Sequence, residues 1–214
     1  MYRRVESKMT ASDGETKIRL LKAAKEEFLE KGYLNASLRN ICRNAGVTTG
    51  ALYFLFKDKE DLFAQLVETP IRLIDTALRD HLTVEATTFS EGYNVVEGEA
   101  DDLDVSGQIL NIMFKYKDEC LLLLTKATGS RFENIKDNIV AELEANYRQV
   151  ALKMEETNGY EHVDDYTLHY MTHMQVEAFI YLLTHSKDRD EALREMPYIL
   201  RHMRGGWFSV FGAI

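Results

Sequence analysis

The sequence predicts an all-α protein in two parts, a small basic N-terminal domain followed by a larger acidic one. Three observations predict it. Apolar residues recur at helical spacing along most of the chain, and no stretch alternates with the period of two that a half-buried strand requires. Only two prolines occur in 214 residues, and 45% hydrophobic residues stand beside 29% charged ones, the balance of an ordered, soluble helical chain. Charge is divided unevenly: residues 1–65 hold 12 Lys/Arg against 9 Asp/Glu, net +3, and residues 66–214 hold 14 against 26, net −12. A basic head on an acidic body implies two tasks, and the head is the part that an anionic polymer can approach.

The elements follow in order. A first helix is expected from about Thr16 to Lys31, with Ile18, Leu21, Ala24 and Phe28 on one face and Gly32 as its stop. Ser37 is the expected N-cap of LRNICRNA, where Leu38, Ile41, Cys42 and Ala45 follow the i, i+3, i+4, i+7 pattern and Gly46 ends the helix. A third helix starts at Thr48 or Thr49 and ends near Phe56. A fourth begins near Lys59 and runs to about His81, with Pro70 expected to kink or interrupt it. From His81 to Phe114 there is no Lys or Arg, while Glu85, Glu91, Glu97, Glu99, Asp101, Asp102 and Asp104 accumulate beside Gly92 and Gly98; this reads as a long acidic loop. Helices resume with IMFKYKDECLLLLTKA, then from about Phe132 to Thr157, from Asp164 to Ser186 and from Asp190 to Gly212. The expected domains are residues 1–66, with a short flexible N-terminal arm, and residues 67–214.

Several classes are set aside. No run reaches the roughly 18 apolar residues of a membrane span, and MYRRVESKMTASDGE has no apolar core of a secretory signal. Cys42 and Cys120 lie far apart without paired spacing, which suits reduced thiols and points to the cytoplasm. There is no nucleophile elbow, phosphate-binding glycine loop or H-E-x-x-H, so neither an enzyme nor a cofactor is expected.

The stretch NAGVTTGALYFLFKDK, residues 44–59, carries the chemistry. Two threonines and a glycine lead into five large apolar or aromatic residues out of six, more than one side of a short helix can bury. Three short helices, the second and third joined through Ala45-Gly46-Val47-Thr48, form a helix-turn-helix. Leu52 and Phe56 are i, i+4 and face inward with Val47, Leu38 and Ile41. Thr49, Gly50, Ala51, Tyr53 and Phe54 remain on or near the outside. A recognition helix enters the major groove by its N-terminal end, where small residues permit close approach. Thr49 suits a base edge or phosphate, Ala51 a thymine methyl, and Gly50 a close backbone approach. The Tyr53 hydroxyl suits a phosphate, with Lys57 and Lys59 adding cations.

ETKIRLLKAAKEEFLEKGYLNASLRNICRNAGVTTGALYFLFKDKEDLFAQLVE, residues 15–68, resembles the N-terminal domain of the TetR family of bacterial transcriptional regulators. The likeness rests on EKGY after the first helix, the AGV turn, the G-A-L-Y recognition helix and the F-K-D-K-E-D-L exit. It implies DNA contact at Ser37, Leu38 and Arg39 and at Thr48, Thr49, Gly50, Ala51, Tyr53, Phe54 and Lys59. One position departs from the pattern: where the family often carries a phosphate-contacting histidine or tyrosine, this chain has Leu55, which suits the core.

The resemblance further implies a homodimer through the last two helices, an effector pocket in the larger domain and a palindromic double-stranded operator. Dimer candidates are Met171, Ala178, Leu182, Gly206, Ser209 and Val210. Without a partner, the end RGGWFSVFG would expose Trp207, Phe208 and Phe211. Pocket candidates are Met113, Phe114, Tyr116, Tyr147, Met154, Tyr170 and Met174, walls suited to a small apolar or aromatic effector. The expected function is a ligand-responsive dimeric regulator, a repressor released by its effector. The alternatives are a metal-responsive regulator, with His169, His173 and Glu177 on one helix face one turn after Asp165, and an effector-independent DNA-binding protein. A redox sensor at Cys120 is a further alternative.

Overall fold

Two helices of the head begin at side-chain caps, Ser37 and Thr48, and one of them ends at Gly46. The structure, a computed structural model, describes residues 11–91 and 95–212, with the side chains of 84–91, 95–97, 157 and 158 excepted. The expected N-terminal arm falls on residues 1–10, outside the described residues. The described residues form helices only: α1 (Ala11–Asn35), α2 (Leu38–Ala45), α3 (Thr49–Leu55), α4 (Lys59–Glu91), α5 (Val95–Lys115), α6 (Lys117–Thr125), α7 (Ile135–Asn158), α8 (Asp165–His185) and α9 (Arg189–Val210). The fold is all-α, as the sequence predicts.

The chain divides into two compact units, Met1–Thr69 with Asp118–Glu133, and Pro70–Lys117 with Asn134–Ile214. In the first, Leu20, Ala24, Phe28, Ile41, Leu52, Phe56, Leu62 and Phe63 are fully or almost fully buried. Phe63 stands edge-on to Phe28 (centroids 5.1 Å apart) and to Tyr33 (5.2 Å). The expected face of α1 needs correction. Its buried stripe is Leu20, Ala23, Ala24, Glu27 and Phe28, and Ile18 is 69% exposed. Ile18 sits about 150° round the axis from the centre of that stripe, at helical spacing. Gly32, at φ 73° and ψ 163°, leaves helical geometry at the expected stop, although helix resumes briefly beyond it.

The second unit has three apolar clusters among its described residues. Leu110, Leu182, Ala192, Met196 and Leu200 join α5, α8 and α9. Val140, Leu143 and Val176 pack with Leu78, Leu82, Tyr147 and Ile180. Val150, Ala151, Met154, Val163, Leu168 and Phe211 pack with Tyr160, Trp207 and Phe208.

Among the described residues between about 82 and 105 the expected acidic loop is not found. Helix α4 runs on through Pro70 to Glu91, and α5 is helical from Val95. Two of the acidic side chains have partners that local composition cannot reveal. Asp101 Oδ2 lies 3.0 Å from His81 Nδ1, and Asp102 pairs with Arg204 of α9. Leu103 and Leu110 meanwhile pack on α8 and α9. The stretch IMFKYKDECLLLLTKA, where helices are expected to resume, holds the end of α5 and the whole of α6, divided at Tyr116. Helix α7 ends at Gly159 (φ 67°), and α8 and α9 start at the caps Asp164 and Asp188, whose carboxylates accept from Thr167 N–H (2.7 Å) and Glu191 N–H (2.9 Å).

Candidate nucleic-acid interface

The α2–turn–α3 element is built from caps. Ser37 is extended (φ −110°, ψ 116°), and its Oγ accepts from Asn40 N–H at 3.4 Å. Behind it, the Glu27 carboxylate of α1 accepts from Ser37 N–H (3.0 Å) and Asn40 Nδ2 (3.4 Å), so a buried anion faces the positive end of α2. Sequence reasoning missed Glu27; its position between Ala24 and Phe28, on the face that must be buried, was the available signal. At the far end Gly46 takes the left-handed conformation (φ 68°), letting its N–H reach Arg43 O (3.2 Å) and Val47 N–H reach Cys42 O (3.0 Å). Thr48 then caps α3, its Oγ1 accepting from Ala51 N–H at 3.2 Å. That bond leaves the hydroxyl hydrogen for a donor role.

Helix α3 is two-sided. Leu52 and Phe56 are buried in the core of the first unit, whereas Tyr53 (58%) and Phe54 (61%) stand exposed beside exposed Thr49 and Gly50. Ala51 and Leu55 are half-buried, and Leu55 offers no polar atom. Ser37 and Leu38 are half-buried and Arg39 is exposed. Lys57 is exposed, its backbone N–H held by Asp61 Oδ2 at 2.9 Å. That bond and, more strongly, one from Gln65 keep the Asp61 carboxyl below the usual carboxylate range. Lys59 is placed differently from expectation. Its ammonium donates to Leu34 O at 3.2 Å and lies 4.7 Å above the Tyr33 ring, and burial draws its pKa down. It is a tie within the head first, and any phosphate contact must compete with that. A hollow lined by Thr16, Cys42, Arg43, Gly46, Val47, Thr48 and Ala51 opens beside the turn.

Residues 20–66 match the profile of the tetR family of bacterial regulatory proteins. The likeness to the tetR family is carried by these head residues. The chain is 44% identical over 57 residues to the transcriptional repressor BepR of Brucella suis biovar 1, and 31% identical over 114 residues to the transcriptional regulator YdgC of Bacillus subtilis. These matches cover 27% and 52% of each chain, so this protein aligns with at most about half the length of those relatives. Among solved structures, the TetR-family regulator PfmR of Thermus thermophilus superposes with a TM-score of 0.59 at 16% identity, covering 86% of this chain and 93% of that one. That likeness is one of fold.

Beyond the tetR-like head, the second unit scatters the remaining candidates. Met113 is buried, Phe114 packs on the Leu110 cluster, Tyr147 on the Val140 cluster and Met154 within the Val150 cluster. Tyr116 lies in the turn after α5, and Tyr170 and Met174 are exposed on α8. The seven expected pocket residues are thus spread over three clusters, a turn and the surface of α8, because residue type alone cannot say which side of a bundle helix looks inward.

The expected ligand strip on α8 is likewise taken up by neighbours from α7. His169 Nδ1 is 2.7 Å from Glu144 Oε2, Glu177 pairs with Lys136, and Asp165 pairs with Arg148. His173 stacks edge-on against His169 at 4.5 Å. Among the described residues no three His, Cys, Asp or Glu gather as metal ligands. Burial pushes the Cys120 thiol up to about 12 and raises that of Cys42, which removes the thiolate a redox sensor needs.

Of the dimer candidates, Leu182 is an internal core residue at 2% exposure and so offers nothing to a partner. Met171 and Ala178 are half-buried, and Gly206, Ser209 and Val210 are exposed. Phe211 is buried in its own chain and Trp207 and Phe208 pack half-buried against the same cluster, with Trp207 5.1 Å from Phe211 and 5.2 Å from Tyr147. Another surface was overlooked: Tyr166 (82%), Tyr170 (58%), Met174 (40%) and Tyr181 (58%) lie along α8. At 3.6 residues per turn they fall within about 80° of arc. Their spacing was readable; that this face of α8 is left uncovered was not. No helix among the described residues is long and apolar enough to cross a membrane.

Proposed function

We propose that this chain is a tetR-family regulator, a dimeric, ligand-responsive transcriptional repressor. Its reading head lies within residues 1–66, and residues 67–214 serve effector binding and dimerisation. The observation that carries the reading is the two-sided α3: Leu52 and Phe56 anchor it, while Thr49, Gly50, Tyr53 and Phe54 are presented outward from a helix capped by Thr48. In that arrangement Thr49 reads a base edge, Gly50 and Ala51 allow the helix end into the major groove, and Tyr53 with Lys57 holds phosphates. Ser37, Leu38 and Arg39 approach the backbone from the start of α2.

Dimerisation is supported by the exposed Tyr166, Tyr170, Met174 and Tyr181 of α8 together with exposed Tyr198 of α9, more large apolar surface than a monomer has reason to leave in water. Two heads then call for two half-sites about one helical turn of DNA apart. An apolar or aromatic effector suits an interior whose clusters are aliphatic, aromatic and methionine side chains. By preferring one conformation it would shift the population of DNA-competent dimers. Helix α4 is the lever of this reading, since it carries the chain past Pro70 from the first unit into the second.

Selection of bound duplexes from a random pool by the full-length protein tests the reading. An enriched palindrome is the expected result. With that duplex, Thr49→Ala changes base preference, whereas Tyr53→Phe weakens binding to all sequences alike by roughly 1 kcal/mol. A pool that emerges unenriched refutes the reading.

A further inference from the structure

The segment Asp118–Glu133, more than fifty residues beyond α4's first turn, belongs to the same compact unit as the reading helices. Its grip is specific. Lys25 of α1 pairs with Glu119 (3.1 Å) and Asp118 (3.4 Å), and Tyr33 N–H donates to Lys126 O at 2.8 Å. Phe132 extends the aromatic core, 6.0 Å from Phe63. The turn at Gly129 (φ 85°) comes so close that an added Cβ would lie 2.9 Å from Leu34 Cδ1.

The centre of this grip is one carboxylate. Glu60 Oε2 accepts from the Tyr33 hydroxyl at 2.8 Å, while Glu60 Oε1 accepts from Arg131 N–H at 3.1 Å. The Arg131 guanidinium lies 3.9 Å from the same carboxylate and 3.2 Å from Glu68. Burial and the adjacent carboxylate both raise the Tyr33 pKa, so the phenol remains a donor. Glu60 stands in the first turn of α4, and the short link from α3 to that turn is itself fixed. Lys57 N–H is bonded to Asp61 Oδ2, and Asp61 N–H to Asp58 Oδ1 at 2.8 Å. A tilt of this turn is therefore carried into α3 and its exposed face.

We propose that Tyr33, Glu60 and Arg131 are positioning residues for DNA recognition, through which the segment Asp118–Glu133 sets the orientation of α3. This rests on the DNA-binding reading above and adds to it a route by which a segment remote in sequence governs affinity. Charge makes the proposal testable by sign. Glu60 places a negative charge in a domain that meets a polyanion, so on electrostatics alone its neutralisation tightens DNA binding. As a positioning residue, its neutralisation loosens binding.

The experiment uses the full-length protein and the duplex that the wild type selects from a random pool. Affinity is measured across a salt series for Tyr33→Phe, Glu60→Gln, Arg131→Gln and the double variant Tyr33→Phe/Glu60→Gln. Each single variant is expected to lose roughly fivefold in affinity, the scale of mutational coupling through such networks, with the wild-type salt slope retained. The double variant is expected to lose no more than either single one, because both remove the same link. Thermal melting followed by circular dichroism separates misfolding from misplacement, and Tyr33→Phe, which deletes one oxygen, is the variant least able to unfold the head. Wild-type affinity in a fully folded Tyr33→Phe overturns the proposal. So does tighter binding by Glu60→Gln, or a smaller salt slope in Arg131→Gln, the signature of a direct phosphate contact. A wild type that enriches no duplex overturns the DNA-binding reading and the positioning role with it. Enrichment by the wild type with unaltered variants overturns the positioning role alone.

Discussion

Replacing Glu27 by alanine tests whether the head is organised by its buried carboxylate. One oxygen of Glu27, a residue 6% exposed, accepts from both Ser37 N–H and Asn40 Nδ2 at the N-terminal end of α2. A hydrogen bond to a charged acceptor contributes about 1.5–3 kcal/mol. The two here share an oxygen and one is long, so they amount to about 2 kcal/mol rather than twice that. Interaction with the helix dipole adds at most about 1 kcal/mol. Glu27→Ala should then destabilise the head by about 2–3 kcal/mol. Glu27→Gln keeps the acceptor oxygen and should cost about 1 kcal/mol. Urea unfolding separates the units spectroscopically, because the single tryptophan, Trp207, lies in the second one. For a unit of this size a slope near 1 kcal/mol per molar converts the alanine effect to a midpoint lowered by about 2 M. The shift should appear in the far-ultraviolet circular dichroism and leave the tryptophan transition in place. A midpoint moved by less than about 0.5 M would refute the assignment of α2's anchoring to this carboxylate.

Other outcomes follow from the same geometry. Gly46→Ala must place a Cβ at φ 68° with only an ordinary contact to Arg19 nearby, so thermal melting should report a purely conformational loss of about 1–2 kcal/mol. Lys57→Ala should reduce the salt slope of DNA binding by about one, whereas Lys59→Ala, removing a tie to Leu34 O, should lower the melting temperature and leave the slope unchanged. Asp61 has a folded-state pKa below its unfolded one, so its contribution is present above the ordinary Asp range near about 3.9 and is lost as pH falls through the folded value. Asp61→Asn should therefore flatten the acid limb of head stability measured by circular dichroism. Tyr170→Arg combined with Tyr181→Arg, both on the open face of α8, should turn a dimer into a monomer in sedimentation while preserving helicity.

What could be read from sequence was what depends on neighbours a few residues away. Ser37, Gly46 and Thr48 occupy the caps that their side chains or backbone freedom suit, and Leu52 and Phe56 are buried as their i, i+4 spacing implies. What failed depended on contacts distant along the chain. The acidic stretch is helical because His81 and Arg204 lie against Asp101 and Asp102. Phe211 is buried, and Trp207 and Phe208 are half-buried, by contacts with α7 and the turn before α8. The α8 histidines offered ligand spacing, yet Glu144, Lys136 and Arg148 of α7 decide their surroundings. Helical periodicity fixes which residues share a face and says nothing about what stands opposite it.

The charge of the head shows the same distinction with a functional consequence. At physiological ionic strength charges act over about 8 Å, so a phosphate responds to its immediate surroundings and not to the chain's net −9. Even the head's own +3 understates what the α2–α3 region presents. Glu27 is buried against α2, Glu60 is bound by Tyr33 and Arg131, and Asp58 and Asp61 accept backbone N–H groups around the α3–α4 link. Arg39, Arg43 and Lys57 stand exposed. The carboxylates are thus tied to backbone and side-chain donors within the head, and the cations are left facing outward. Where each charge stands, more than the net composition, decides what a phosphate near α2 and α3 would meet.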